Sequence, residues 1–208
     1  MKKLSALLTM LVLVSSLTAC GMNNDKERDK SDKQSTTSDV KDELYENNKE
    51  TDKVTNEDTL IGKNFKLSHK DAIDKFNEKH KNVDIIEIEL DKNHNNYLYD
   101  IEGVDDENEY KFTIDANTSE IVKDKTEMLD DNEKNGALRE RKINFDEVIA
   151  PDKAMDIAHK EHSGIVKEWS LKNEKGSTYY TIKIIEDKTE YKVKVDAKNS
   201  KVLEVERD

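Results

Sequence analysis

Three stretches of the chain carry residue types at spacings that could do chemistry. Asp91, Asn93, Asn95 and Glu102 fall at positions 1, 3, 5 and 12 of a calcium-binding loop, which offers oxygen ligands at alternate places and closes with a carboxylate. Asn96 stands where that loop needs glycine, only two of the ligands are charged, and the flanks alternate like strands; the spacing therefore favours a polar hairpin turn. Asp115-Ala116-Asn117-Thr118-Ser119 is a shorter match of the same kind, undone by Lys198 in its later counterpart. His159 and His162, three apart, could present two imidazoles on one helix face. Their sequence, His-Lys-Glu-His, lacks the spacing of a zinc-protease motif and a third ligand, and histidines near a helix C-terminus suit the helix dipole. With six glycines and one cysteine there is no phosphate-cradling loop, and no serine-nucleophile motif or Cys–His pair occurs. The expectation is no catalytic residue, no metal ligand and no cofactor, with the binding face unassigned. Paired carboxylates occur throughout and are read as a solvated surface.

The lone cysteine, Cys20, is the remaining reactive group. Lys2-Lys3, the apolar run Leu4–Val14 and the small residues before Cys20 have the layout of a secretory signal, too short for a comfortable membrane span. Leu17-Thr18-Ala19-Cys20 resembles the bacterial lipobox. The resemblance implies cleavage between Ala19 and Cys20 and attachment of a diacylglyceryl group to the Cys20 sulfur, with residues 1–19 removed. Two acyl chains anchor stably where one does not. The chain is thus expected on the outer face of the cell membrane, held by lipid, and its Lys- and Asn-rich composition points to a Gram-positive host. An ordinary secretory signal that contains a cysteine is the alternative. Residues 20–59 are Asn, Asp, Lys, Glu, Ser and Thr with scarcely an apolar side chain, which reads as a disordered charged tether.

Composition narrows the function further. Charged residues make up 39% of the chain against 34% hydrophobic, too polar for one compact core of 208 residues. The net charge of −12 argues against nucleic acid as a partner, because that binding needs a basic face. A single cysteine excludes an internal disulfide.

The elements that would position any site come in two copies. Tyr110-Lys-Phe-Thr-Ile-Asp-Ala at 110–116 recurs as Tyr191-Lys-Val-Lys-Val-Asp-Ala at 191–197, each alternating as a strand and running into a turn, and Ile121-Val122 and Val202-Leu203 then resume the apolar pattern. Upstream, Ser68 as N-cap with Asp71 at N3 opens a helix whose stripe is Ala72, Ile73 and Phe76, and Asn82 suits a left-handed C′ position. In the second copy Pro151 at N1 and Asp152 at N2 open the helix and Gly164 takes the C′ place. Strands around Ile86–Leu90, Tyr97–Ile101, Trp169–Leu171 and Tyr180–Ile184 complete the set. The fold expected is α+β: two small repeats, at 60–123 and 143–208, each a helix packed on an antiparallel sheet of three to four strands, joined by a linker at 124–142. Repeats of this size are marginal alone and are expected to pack on each other. Trp169 is expected to compensate for the small Ala158 on the second helix.

A helix with an Ala-rich stripe followed by strands ending Tyr-x-Val-x-Val-Asp-Ala-x-x-Ser-x-Val resembles the PepSY domain, and the chain resembles a bacterial lipoprotein with two such domains in tandem. PepSY units occur in the propeptides of thermolysin-like metalloproteases and in YpeB-type spore proteins. The resemblance implies a membrane-anchored, extracytoplasmic, non-enzymatic module that inhibits, regulates or localises a secreted or membrane peptidase, with sheet edges as a natural docking surface. The alternative is a scaffold lipoprotein of the cell envelope that partners another envelope protein and leaves proteolysis untouched. A small-ligand receptor is the third reading, weakened by an aromatic content of 6%.

Overall fold

The computed structural model describes residues 58–208. Helix α1, His69–Lys79, begins where the sequence places it: the Ser68 side chain accepts from the Asp71 amide at 3.2 Å and the Asp71 carboxylate accepts from the Ser68 amide at 3.0 Å, a reciprocal capping box. It buries Ala72, Ile73 and Phe76. Four strands follow as an antiparallel meander: β1 Asp84–Asn93, β2 Asn96–Val104, β3 Asn108–Asp115 and β4 Ile121–Met128. The second copy repeats the order with α2 Pro151–Glu161, β5 Ile165–Glu174, β6 Ser177–Glu186, β7 Thr189–Asp196 and β8 Val202–Arg207. Helix α2 has no side-chain cap and starts on Pro151 instead. Between the copies, residues 129–150 form a strap with short 3-10 turns at Leu138–Arg141 and Phe145–Glu147.

The two repeats meet edge to edge. β1 pairs antiparallel with β5, giving one eight-stranded sheet in the order β4-β3-β2-β1-β5-β6-β7-β8. Four pairs make the seam: Glu87 with Lys172, Ile88 with Leu171, Glu89 with Ser170 and Leu90 with Trp169. Strand positions in the copies correspond at an offset of 81, so Ile88 corresponds to Trp169 and Leu90 to Leu171. Each pairs with the other's counterpart, and the Glu89–Ser170 pair sits on a local two-fold axis. The seam consumes the two edges that separate repeats would leave open, which answers the edge-strand problem for those strands.

Both helices lie on one face of this sheet over a continuous core. Ile88, Leu90, Tyr99, Ile101, Phe112 and Ile114 of the first copy and Val166, Trp169, Leu171, Tyr180, Ile182, Val193 and Val195 of the second are buried in it. Gly103 lets α1 come close: a Cβ there would lie 2.5 Å from Cζ of Phe76. Two local expectations change. Gly164 is not in a left-handed C′ conformation (φ 159°); it lies two residues past the C-cap His162, where a Cβ would meet the Ile185 carbonyl oxygen at 2.5 Å, so close approach is the reason for glycine. Asn82, in the corresponding place, is left-handed at φ 62°. Trp169, for its part, faces the other repeat as much as its own: its ring neighbours are Tyr180 at 6.0 Å, Tyr99 at 6.3 Å and His69 at 6.3 Å. It fills the junction between the copies, and its size is explained by the width of that junction.

Candidate functional site

The residues singled out as possible ligands are absorbed by the fold. Asp91 pairs with Leu98 and Glu102 with Glu87, so the first and last positions of the calcium-like spacing stand four residue pairs apart along one hairpin, about 13 Å. The turn between those strands is His94-Asn95, with His94 at φ 55°. The Asp115 carboxylate accepts from the Asn117 and Thr118 amides, both at 2.8 Å, and Asp196 does the same for Lys198 and Asn199 at 2.8 and 2.9 Å. These aspartates are turn-builders. His162 stacks on Tyr191 with centroids 4.0 Å apart and bonds Glu186 at 3.3 Å, while the nearby His159 accepts from the Gly164 amide at 3.5 Å. His80 and Tyr110 repeat that ring pair in the first copy at 4.9 Å, with Asp124 on the imidazole at 2.9 Å. A histidine closing each helix against the third strand of its own copy is a packing device. Cys20 and Ala19 lie outside the described residues.

The fold creates two features that the sequence does not announce. The first is a cleft of about 430 Å³ between α1 and the end of the strap that leads into α2. Ile88, Trp169 and Leu171 form its floor, α1 contributes His69, Lys70 and Ile73 to one wall, and Phe145, Val148 and Pro151 form the other. Its position follows from the seam: α1 packs over β2 and α2 over β5–β7, so the joined strands β1 and β5 floor the space between α1 and the strap that leads into α2. Burial, and next the charge of Lys70, pull the His69 imidazole below its ordinary pKa, so it enters the cleft as a neutral ring set edge-on to Trp169. Its floor is apolar, while His69, Lys70, Asp74 and Asp146 make the rim polar.

The second is an acidic patch on the opposite face. Glu87, Glu89 and Asp91 alternate along β1, Glu102 and Asp100 stand opposite the first two on β2, and Glu168 joins from β5. Carboxylate oxygens of Glu89, Asp91 and Glu168 come within 4.8 Å of one another. Lys183 pairs with Glu168, Lys172 with Glu87 at 3.1 Å, and the Thr113 hydroxyl donates to Asp100 at 2.5 Å. Burial, reinforced by Glu168, Asp91, Asp100 and Glu87, pushes Glu89 up to about 8. Asp91 rises to about 6, first through burial and then through Glu168. The expectation of a merely solvated acidic surface is thus corrected for these residues. Its visible signal was Glu87-x-Glu89-x-Asp91 on one strand face with Asp100-x-Glu102 on the next, legible only once register is known.

Both remaining sheet edges are mixed: Ile121, Val122 and Met128 of β4 and Leu203 and Val205 of β8 are exposed, among charges and bulges. β4 and β8 each open with a bulge, at Val122 and Leu203, and carry Lys123, Asp124, Lys125, Glu204 and Glu206. Bulges and charges of this kind discourage strand addition.

Two segments, residues 66–125 and 148–206, match the family described as peptidase propeptide and YPEB domain, PepSY. The chain belongs to that family, and the observed helix and four-stranded meander occur once per match. Among solved structures it is similar to a candidate lipoprotein from Clostridium difficile 630, with 46% identity, a TM-score of 0.70, and coverage of 73% of this chain and 99% of that one. No curated protein matches the chain.

Proposed function

We propose that this protein is an extracytoplasmic lipoprotein, anchored through Cys20, that works as a non-enzymatic binding module and restrains or positions a secreted or membrane peptidase. The observation that carries the reading is the fusion of two PepSY units into one sheet, with an apolar-floored cleft between α1 and the strap. PepSY propeptides act beside the peptidases they accompany, and the C. difficile neighbour, described as a candidate lipoprotein, supports the envelope location. The lipobox-like Leu17-Thr18-Ala19-Cys20 supports the anchor. In this reading the cleft receives an extended or loop segment of the partner, with an apolar side chain over Trp169 and polar contacts from Lys70 and the strap.

Affinity capture tests it: the chain begun at Asn56 is incubated with the envelope fraction of its host, and bound proteins are identified by mass spectrometry. The expected result is a peptidase whose activity falls on adding the purified chain. Val148→Arg, which places a charged chain at the cleft wall, is expected to abolish capture while leaving the circular dichroism unchanged. Capture of an envelope protein that is not a peptidase, with proteolysis untouched, would move the assignment to a scaffold.

A further inference from the structure

We propose that the seam between the two repeats is a proton-sensitive joint: protonated Glu89 holds β1 to β5, and loss of that proton loosens the joint without unfolding the outer strands. The geometry begins with Glu89 on the local two-fold axis, paired with Ser170 across the seam and with Asp100 on the other side. Its carboxylate has no hydrogen-bonding or cationic partner among the described residues. Around it Glu168 is held by Lys183, Glu87 by Lys172, Asp100 by Thr113 and Asp91 by the Lys92 amide at 2.6 Å; Glu102, opposite Glu87 on β2 and away from the seam, is raised by burial as well. At the seam itself, Glu89 must therefore stay charged among like charges or take up a proton.

The groups facing it come from every neighbouring strand. Glu87 and Asp91 flank it on β1, Asp100 and Glu102 on β2, and Glu168 and Lys172 on β5; Lys183 on β6 and Lys111 on β3 lie one strand further out. Both of these outer lysines are already engaged, Lys183 with Glu168 and Lys111 with Glu109 and Glu127. The field at Glu89 is therefore negative from both sides.

The sign follows from linkage. Glu89 binds its proton more tightly in the folded chain, about 8, than at its ordinary value of 4.5. Between those values the folded state holds more protons than the unfolded one, so stability falls as pH rises through this window and levels above it. Because the charge develops between β1 and β5, the loss concentrates at the seam, whose ladder is only four pairs long. A joint of this kind would let the pH at the membrane surface set the rigidity of the cleft on the opposite face, since Ile88 and Leu171 pair in the same ladder and floor that cleft.

The experiment compares residues 58–208 as wild type and as Glu89→Gln, with amide hydrogen exchange and denaturant midpoints measured from pH 5 to pH 8.5. Exchange is corrected for its intrinsic pH dependence. The wild type is expected to lose protection at Ile88–Leu90 and Trp169–Leu171 as pH rises, with β6–β7 amides retained, and its midpoint to fall; Glu89→Gln is expected to flatten both profiles. Parallel profiles for the two proteins would overturn the proposal. Should Glu89→Gln fail to fold, the carboxyl carbon of Glu89 is titrated by NMR in the wild type. A transition near its ordinary value would overturn the proposal equally, and one well above it would sustain it.

Discussion

At the scale of single residues, the molecule turns on Trp169 and on two close approaches by glycine. Trp169 is 2% exposed and touches rings from both copies, so its loss opens a cavity at the junction. Trp169→Ala is expected to cost about 3–5 kcal/mol, read from urea midpoints. Gly103→Ala drives a methyl into Phe76, and an overpacked site of this sort costs about 1–3 kcal/mol; adding Phe76→Leu is expected to recover part of the loss. A double variant no better than the single one would show that the strain lies elsewhere. Trp169 also shows the limit of residue-by-residue reading. Its alternation with Leu171 declares a buried strand position, but which helix lies above it depends on a pairing between strands 81 residues apart in the repeat register.

At the scale of elements, the local chemistry is legible because it is local. The Ser68–Asp71 box, Pro151 at N1 and the Asp115 and Asp196 turns are each written within four residues, and each forms as its side chains dictate. Ser68→Ala is expected to destabilise by about 0.5–2 kcal/mol, and Ala150→Asp, which supplies the cap α2 lacks, to stabilise by about 1 kcal/mol. The strap is less legible, since its order comes from contacts distant in sequence. Arg139 bonds Asp84 at 2.6 Å and Asp106 at 3.1 Å, and Lys142 bonds Asp84 at 2.6 Å. Burial works against the Asp84 charge, but the bonds from Lys142 and Arg139 outweigh it and hold the carboxyl below its ordinary range. That contribution is present above the ordinary carboxylate pKa and is lost as pH falls through the depressed folded value. Removing the cations by Arg139→Ala and Lys142→Ala is expected to lower stability at pH 7 and to leave it less changed at pH 2, as Asp84 takes up its proton on the way down. Equal losses at both pH values would assign the strap's role to packing.

At the scale of the whole molecule, two small domains become one body. The repeat predicts two helices and two sheets, and its period-2 strands predict which faces are buried. It contains no instruction that β1 pairs with β5, because the seam residues Glu87–Leu90 and Trp169–Lys172 carry the same alternation as any half-buried strand. From that pairing come the cleft, the acidic patch and the loss of two open edges, which is why the candidate site is the part of the structure least visible in the sequence. Many charged residues of the described stretch lie on the polar sheet face in cross-strand pairs such as Lys194 with Glu204 at 2.6 Å, each worth little in stability. The functional reading depends on the fused body, since neither repeat alone contains both walls of the cleft.

Cutting the molecule at the strap tests that claim most directly, by measuring the folding of residues 143–208 alone against residues 58–208 by circular dichroism and Trp169 fluorescence. The fused-body account predicts that the full stretch melts in one transition. It predicts that the fragment, with the β1 edge of β5 open and Trp169 stripped of Tyr99 and His69, shows exposed-tryptophan emission and little cooperative unfolding until the 58–142 fragment is added. A fragment that folds alone with the midpoint of the full stretch would contradict it, and would return the molecule to two independent PepSY units with no shared site.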